Sequence, residues 1–317
     1  MLLATSYIEA LHQRFPSANI DFFVQQPFNE VVEGHPFIHE VISSRGKKRS
    51  LIYFFSRFAA LLKIIIGHYD LVIDQQGNAG SATVMMVCFA RYRLGWSTTR
   101  GGRYFCNLKA VPGPGRYHGN RNFDILTPLG ISEQPYRLHV TIKNDSFIYI
   151  GKWLDDHHIT RKRFICIATQ STKSANQWSS ANFLALFTLL ASETALPAVL
   201  TFAPAEEGPV RSLHEAANGH AVIGPPTNYN QIAALISECT LLICPEGGLN
   251  HLSVATGTPT IALFGKPVTA SWSPEGFFPH HYHIFHPHEP GDSSLRITPE
   301  EVLSKVHKLL SETGYSA

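Results

Sequence analysis

Charge is scarce in this chain. Only 16% of its residues are Asp, Glu, Lys or Arg, against 44% hydrophobic. That balance excludes a chain that stays disordered and leaves ample material for a packed core. Long apolar runs are missing too: there is no run of about 18 uncharged apolar residues, which excludes a membrane-crossing helix. Cysteine is limited to Cys88, Cys106, Cys166, Cys239 and Cys244. None stands in a C-x-x-C pair, which argues against a zinc ribbon or a disulfide scaffold and fits a reducing compartment. The amino terminus shows no basic stretch leading into a continuous apolar segment, so no secretory signal is visible and a cytoplasmic location is expected. Short-period repeats and low-complexity tracts are absent as well.

At about 100–200 residues per domain, 317 residues suggest two domains. The net charge of +2 conceals an asymmetry, because residues 1–145 carry +6 and residues 146–317 carry −4. A basic half beside an acidic half suits an anionic partner for one of them, although a solvated surface would account for it equally well.

Leu3, Tyr7 and Leu11 have helical spacing over residues 2–14, and Ile20–Val24 reads as a buried strand. Residues 50–66 are apolar apart from a few positions and read as a core helix. Leu71–Ile73 reads as a short strand, residues 81–91 as a helix, and residues 100–120 as loop. The interdomain linker is expected around 135–160. The second half alternates more clearly. Strands are expected at 164–169, 198–202, 221–223, 240–244 and 259–264. Helices are expected at 180–192 (capped by Ser180), 206–217, 228–238 and 249–256. Such alternation predicts parallel sheet covered on both faces. Thr298, Pro299 and Glu301 form an N-cap, N1 proline and capping box for a final helix.

The strongest chemical signal is the run Glu246-Gly247-Gly248-Leu249-Asn250-His251, which follows a strand and opens a helix. Adjacent glycines admit a ligand close to the backbone, and amides at a helix N-terminus favour phosphate. The alternative is a plain Gly-Gly turn. Together with Ala255-Thr256-Gly257-Thr258-Pro259, the strand ending Phe264-Gly265, and Trp272-Ser273-Pro274, this run resembles glycosyltransferase family 9, which contains the ADP-heptose:lipopolysaccharide heptosyltransferases. The stretch from Tyr69 to Asn78 and Arg93-Leu94-Gly95-Trp96 look like the family's N-terminal half.

The resemblance implies an α/β protein of the GT-B fold, with two Rossmann-like domains whose parallel sheets face each other across a cleft. Residues 1–145 would bind acceptor and residues 146–317 the nucleotide-sugar, with helix 299–312 packing back toward the first domain. It implies metal-independent, inverting transfer of a heptose or related sugar from an ADP-sugar to the lipopolysaccharide inner core, with no cofactor. Donor contacts carried over are Thr172, Lys173, Asn176, Glu246, Gly247, Gly248, Leu249 and His251. The family's lysine position holds Asn176, so Lys173 is its candidate substitute. Glu206 or Glu207 follows the next strand and is placed to accept a ribose hydroxyl, Glu207 being preferred.

Arg45, Lys47 and Lys48, just before the helix 50–66, are candidates for acceptor phosphates or for peripheral contact with an anionic inner-membrane face. No nucleic-acid motif accompanies them. The family's first strand and its Gly-Asp loop, bearing the proposed general base, have no counterpart here, because Met1-Leu2-Leu3-Ala4-Thr5 matches the helix start that follows them. The N-terminal sheet is therefore expected to lack a strand and the activity to be impaired, with Asp74 the only substitute base and a structural role for it preferred. Two other readings stay open: a non-catalytic nucleotide-sugar-binding transferase relative, and a sugar-nucleotide epimerase of the same fold. The histidines at 280, 281, 283, 286 and 288 read as a loop without a metal-ligand frame.

Overall fold

The computed structural model describes residues 1–46, 50–113, 116–132, 137–171, 173–265, 271–286 and 295–315. The chain forms two compact units, Met1–Thr141 and Ile142–Ala317. In the first, a 3₁₀ segment Leu2–Tyr7 runs into α1 (Ile8–Arg14), so the expected single helix is tightened in its first half. Then come β1 (Asp21–Gln25), β2 (Glu40–Ser44), α2 (Leu51–Ile66), β3 (Leu71–Asp74), α3 (Ala79–Val87), β4 (Tyr92–Trp96), α4 (Arg100–Phe105), β5 (Leu108–Ala110) and α5 (His118–Phe123). The segment expected to be loop thus contains α4 and β5. Thr99 caps α4 by accepting from the Gly102 amide, so a helix starts where the glycines alone suggest loop.

The strands of this unit are parallel but fall into two sheets, β1-β2 and β3-β4-β5. One cluster, with Tyr7, Leu11, Leu94, Phe123, Ile125 and Leu126, takes Leu71 and Ile73 from one face of β3. Another, with Ile42, Ala60, Ile64, Val84 and Cys88, takes Phe23 and Val72. Strands β1 and β3 are mostly half-buried, whereas the central strands of the second unit are wholly buried. The helix 50–66 forms as expected, capped by Ser50, but it is not a core helix. Only Ala60 and Ile64 are buried along it.

The second unit opens with α6 (Asn144–Asp156), which occupies half of the stretch expected to be linker. It continues β6 (Ile165–Ala168), α7 (Ser180–Glu193), β7 (Ala198–Thr201), α8 (Glu207–Ala216), β8 (Ala221–Ile223), α9 (Tyr229–Glu238), β9 (Leu241–Pro245), α10 (Gly248–Thr256), β10 (Thr260–Phe264), β11 (His281–Phe285) and α11 (Pro299–Glu312). The cap of α7 is Ser179, one residue earlier than expected, accepting from the Asn182 amide. The histidine tract expected to be loop contributes β11, because His281, His283 and Phe285 alternate with Tyr282 and Ile284 along the sheet edge.

The six strands are parallel in the order β11-β10-β9-β6-β7-β8. Ile165, Ile167, Ile243, Ile261 and Leu263 point to one face, where α7 supplies Phe183, Leu186 and Phe187 and α11 supplies Val302, Val306 and Leu309. Cys166, Leu242, Cys244 and Ala262, at the alternate positions, are also fully buried, so both faces are covered as in a doubly wound sheet. The capping box of α11 forms as expected, with Thr298 Oγ1 accepting from the Glu301 amide and Glu301 accepting from the Thr298 amide.

Candidate functional site

Strand order in the second unit reverses between β6 and β9. The chain winds outward from β6 through β7 to β8, then returns to the other side of β6 and winds through β9, β10 and β11. Ligands of open parallel sheets bind beyond the carboxyl ends of the strands at such a reversal. The two segments there are residues 169–178, after β6, and residues 246–251, after β9.

Three side chains tie them together. Asn176, almost fully buried, donates from Nδ2 to Glu246 Oε2 at 2.6 Å and to the Glu246 carbonyl at 3.3 Å. Its Oδ1 accepts from the Gly265 amide at 3.0 Å, so one amide joins the ends of β6, β9 and β10. Lys173 Nζ reaches Glu246 Oε2 at 2.7 Å and Oε1 at 3.1 Å, with its own side chain more than half exposed. Gln177 shapes the first segment, donating to the Thr169 carbonyl and accepting from the Ser171 amide. Neither Gln177 nor the bridging geometry of Asn176 had a sequence signal beyond a polar loop.

The two glycines differ from Gly265 in what their missing side chains leave behind. A Cβ at Gly265 would lie 1.5 Å from the Ala175 carbonyl oxygen, so there glycine is required by the protein's own backbone. A Cβ at Gly248 would meet nothing within 4 Å, and one at Gly247 would come no nearer than 3.9 Å to Pro245 O. Among the described residues, nothing demands glycine at 247 or 248. The N-terminus of α10 also has no side-chain cap. Its first turn thus carries no side-chain acceptor of its own, and Glu246 just before it holds the Lys173 ammonium, an arrangement suited to an anion.

Behind this opening, Asn250 is buried, with Nδ2 donating to the Trp272 carbonyl at 3.3 Å and Oδ1 without a hydrogen-bond partner among the described residues. His251 is buried too, its ring 6.0 Å from that of the half-exposed Trp272 and tilted by 39°. Beyond them, Ser273, Glu275 and His283 cluster at β11. Ser273 Oγ and the Glu275 carboxylate both engage Nδ1 of His283. A relay for nucleophilic catalysis needs the hydroxyl and the carboxylate on opposite ring nitrogens, so this cluster is a brace.

Across the chain, the model of glycosyltransferase family 9 (heptosyltransferase) matches residues 58–277. The chain belongs to glycosyltransferase family 9. Lipopolysaccharide heptosyltransferase 3 of Escherichia coli strain K12 is 24% identical, the match covering 100% of this chain and 96% of that protein. Among solved structures, a family 9 glycosyltransferase from Veillonella parvula superposes with TM-score 0.82 at 19% identity, over 98% of this chain and 93% of that one. The Escherichia coli heptosyltransferase WaaC with ADP gives TM-score 0.77 at 18% identity, over 97% and 95%. These likenesses show a GT-B fold, and the family makes the protein a glycosyltransferase.

The remaining family-derived positions are distributed as follows. Thr172, Lys47 and Lys48 lie outside the described residues, as does His288. Glu207, in the first turn of α8, forms an exposed ion pair with Arg211, while Glu206 accepts from the Ala203 amide. Leu249 is half-buried in the first turn of α10. Arg45 is exposed, and its amide donates to Ser56 Oγ at 2.8 Å.

Asp74 ends β3 with its carboxylate fully engaged. Oδ1 accepts from the Gln76 and Gly77 amides and Oδ2 from Ser81 Oγ, all within 3.0 Å. This buried carboxylate organises the turn into α3. Tyr7 nearby has its phenol pushed up by burial and by the Asp74 charge.

Proposed function

We propose that this family 9 glycosyltransferase moves a heptose from ADP-heptose to the core oligosaccharide of lipopolysaccharide, without a metal and with inversion. The observation that carries the reading is the open start of α10. Two glycines with free Cβ space among the described residues stand at an uncapped helix start, next to the Glu246 that holds Lys173, at the reversal point of the sheet. Lipopolysaccharide heptosyltransferase 3 of Escherichia coli, and separately the Escherichia coli heptosyltransferase WaaC solved with ADP and with ADP-2-deoxy-2-fluoro heptose, support the choice of substrates.

In this reading the diphosphate lies against Gly247, Gly248 and Leu249 at the α10 amides, with Thr172 of the facing loop. Lys173, already turned toward this point by Glu246, shifts its ammonium to phosphate oxygen. Asn176 and Glu246 hold the two loops at the right spacing, and His251 with Trp272 backs the first turn. Glu207 exchanges Arg211 for a ribose hydroxyl. The acceptor hydroxyl, giving up its proton to water, attacks the anomeric carbon from the face opposite the leaving diphosphate. The bond to the diphosphate oxygen breaks, and the charge that builds there is stabilised by amides oriented beforehand, which is where such sites lower a barrier most. Arg45, Lys47 and Lys48 are assigned to acceptor phosphates. Asp74 is assigned to the turn and not to proton removal, since its lone pairs already face three donors.

The test is an assay with ADP-heptose and heptose-deficient core acceptor, following ADP release, acceptor mass and the configuration of the new bond, with and without EDTA. Acceptor-dependent ADP release and an inverted linkage, both indifferent to EDTA, are expected. Tight ADP binding without turnover would favour the non-catalytic relative. Conversion of a nucleotide-sugar without acceptor would favour the epimerase.

A further inference from the structure

Helix α2 is built inside out. In most surface helices the apolar side faces the core and the polar side faces water. Here the side facing the core is narrow, Ala60 and Ile64, joined by half-buried Leu61. The exposed positions of the helix are all apolar except Lys63. Leu51, Phe54, Phe55, Phe58, Leu62 and Ile66 are between 41% and 77% exposed. At about 100° per residue these six fall on one continuous arc, which Ile52 and Ala59 extend. Polar groups sit at its margins or beneath it. Arg57 reaches back to the Gly80 carbonyl and over the Phe23 ring, and Lys63 pairs with Glu40. Scattered exposed apolar residues are ordinary, but a whole helix face carrying three phenylalanines is not.

We propose that the outward face of α2 docks this enzyme on a bilayer surface rich in anionic lipid. Charge selects that occupant. From Arg45 to Ile66 the sequence carries six cationic side chains and no carboxylate. A second copy meeting the same face would bring like charges together, whereas anionic headgroups would neutralise them. Length selects the mode. At 16 residues the helix measures about 24 Å, short of the roughly 30 Å hydrocarbon core. No helix among the described residues is long and apolar enough to cross a membrane. A helix of this kind lies in the interface, with its phenylalanines below the headgroups, while exposed Arg45 just before it meets them and Arg57 and Lys63 stay on Gly80 and Glu40. The inference rests on the face of α2 and the basic run that precedes it in sequence, whichever sugar is moved.

The experiment is co-sedimentation of the full chain with vesicles of phosphatidylcholine, alone or with about 30 mol % phosphatidylglycerol, in low and high salt. Expected is binding to the mixed vesicles at least about tenfold tighter than to the neutral ones, weakened by salt. The triple variant Phe54→Gln, Phe55→Gln, Phe58→Gln should lose at least about tenfold in binding, and the single variant Phe54→Gln should lose a part of it. Because these rings are exposed, the melting temperature and ADP affinity should hold, and these two readouts separate failure here from failure of the donor-site reading. Equal partitioning of wild type and triple variant overturns the proposal. So does absence of vesicle binding together with a concentration-dependent dimer that the triple variant abolishes, which would make the face a contact between copies.

Discussion

Replacing Gly248 by Val separates a glycine kept for a ligand from one kept for the fold. A Cβ at 248 meets no atom of the described residues within 4 Å, and the residue sits in the first turn of α10 without a positive φ. Valine should therefore leave stability within about 0.5 kcal/mol of wild type, since its helix propensity is no worse than that of glycine. Its branched carbons would, however, fill the space through which a diphosphate reaches the α10 amides. Losing one amide-to-phosphate bond, worth about 1.5–3 kcal/mol when the acceptor is charged, corresponds to a rise of about 10- to 150-fold in the Kd for ADP. Gly265→Ala is the matched comparison. Its Cβ would fall 1.5 Å from the Ala175 carbonyl oxygen, so backbone must move and about 3 kcal/mol or more of stability should go. Urea unfolding and calorimetry with ADP, run on both variants, read the two effects apart. A G248V protein that is stable and binds ADP as well as wild type would refute the placement of the diphosphate.

Asn176→Ala should cost about 2–4 kcal/mol in urea unfolding and weaken ADP binding as well, because it removes bonds to the Glu246 carboxylate, the Glu246 carbonyl and the Gly265 amide from a buried position. Unchanged stability would show that the loops hold their spacing without it. His35 gives a pH dependence. Burial, with the neighbouring His139 ring adding to it, lowers its pKa to about 4, and its Nδ1 accepts from the Phe37 amide, so the native state holds it neutral. The unfolded chain takes up a proton near the ordinary value of about 6.5, so the stabilisation is complete above that pH and is lost as pH falls toward about 4. Between about pH 7.5 and 4.5 wild type should lose about 2–3 kcal/mol more than His35→Gln in urea unfolding, and parallel losses would contradict the assignment.

Local chemistry alone determined a good deal of this protein. The alternation of short apolar strands with capped helices is legible because a parallel sheet covered on both faces needs continuous apolar strands, and because a capping box such as Thr298–Glu301 involves neighbours in sequence. The Glu246–His251 run and its companions at 255–265 and 272–274 carried the family resemblance, since backbone approach to a phosphate demands glycine whatever surrounds it.

Distance in sequence hid the rest. Asn176 looked like a departure from the family's lysine, and only the folded chain shows it joining residues 246 and 265. Gly247, Gly248 and Gly265 are alike in sequence, and only the space around each tells an open approach from a backbone collision. The histidines at 281 and 283 read as loop because their strand is an edge stabilised by pairing with β10, a contact made across the intervening loop. Helix α2 forms over the extent its sequence predicts but is not a core helix. Its residues are apolar nearly all round, so periodicity cannot say which side meets the core, and only the packing of Ala60 and Ile64 against β2 and α3 turned the phenylalanines outward.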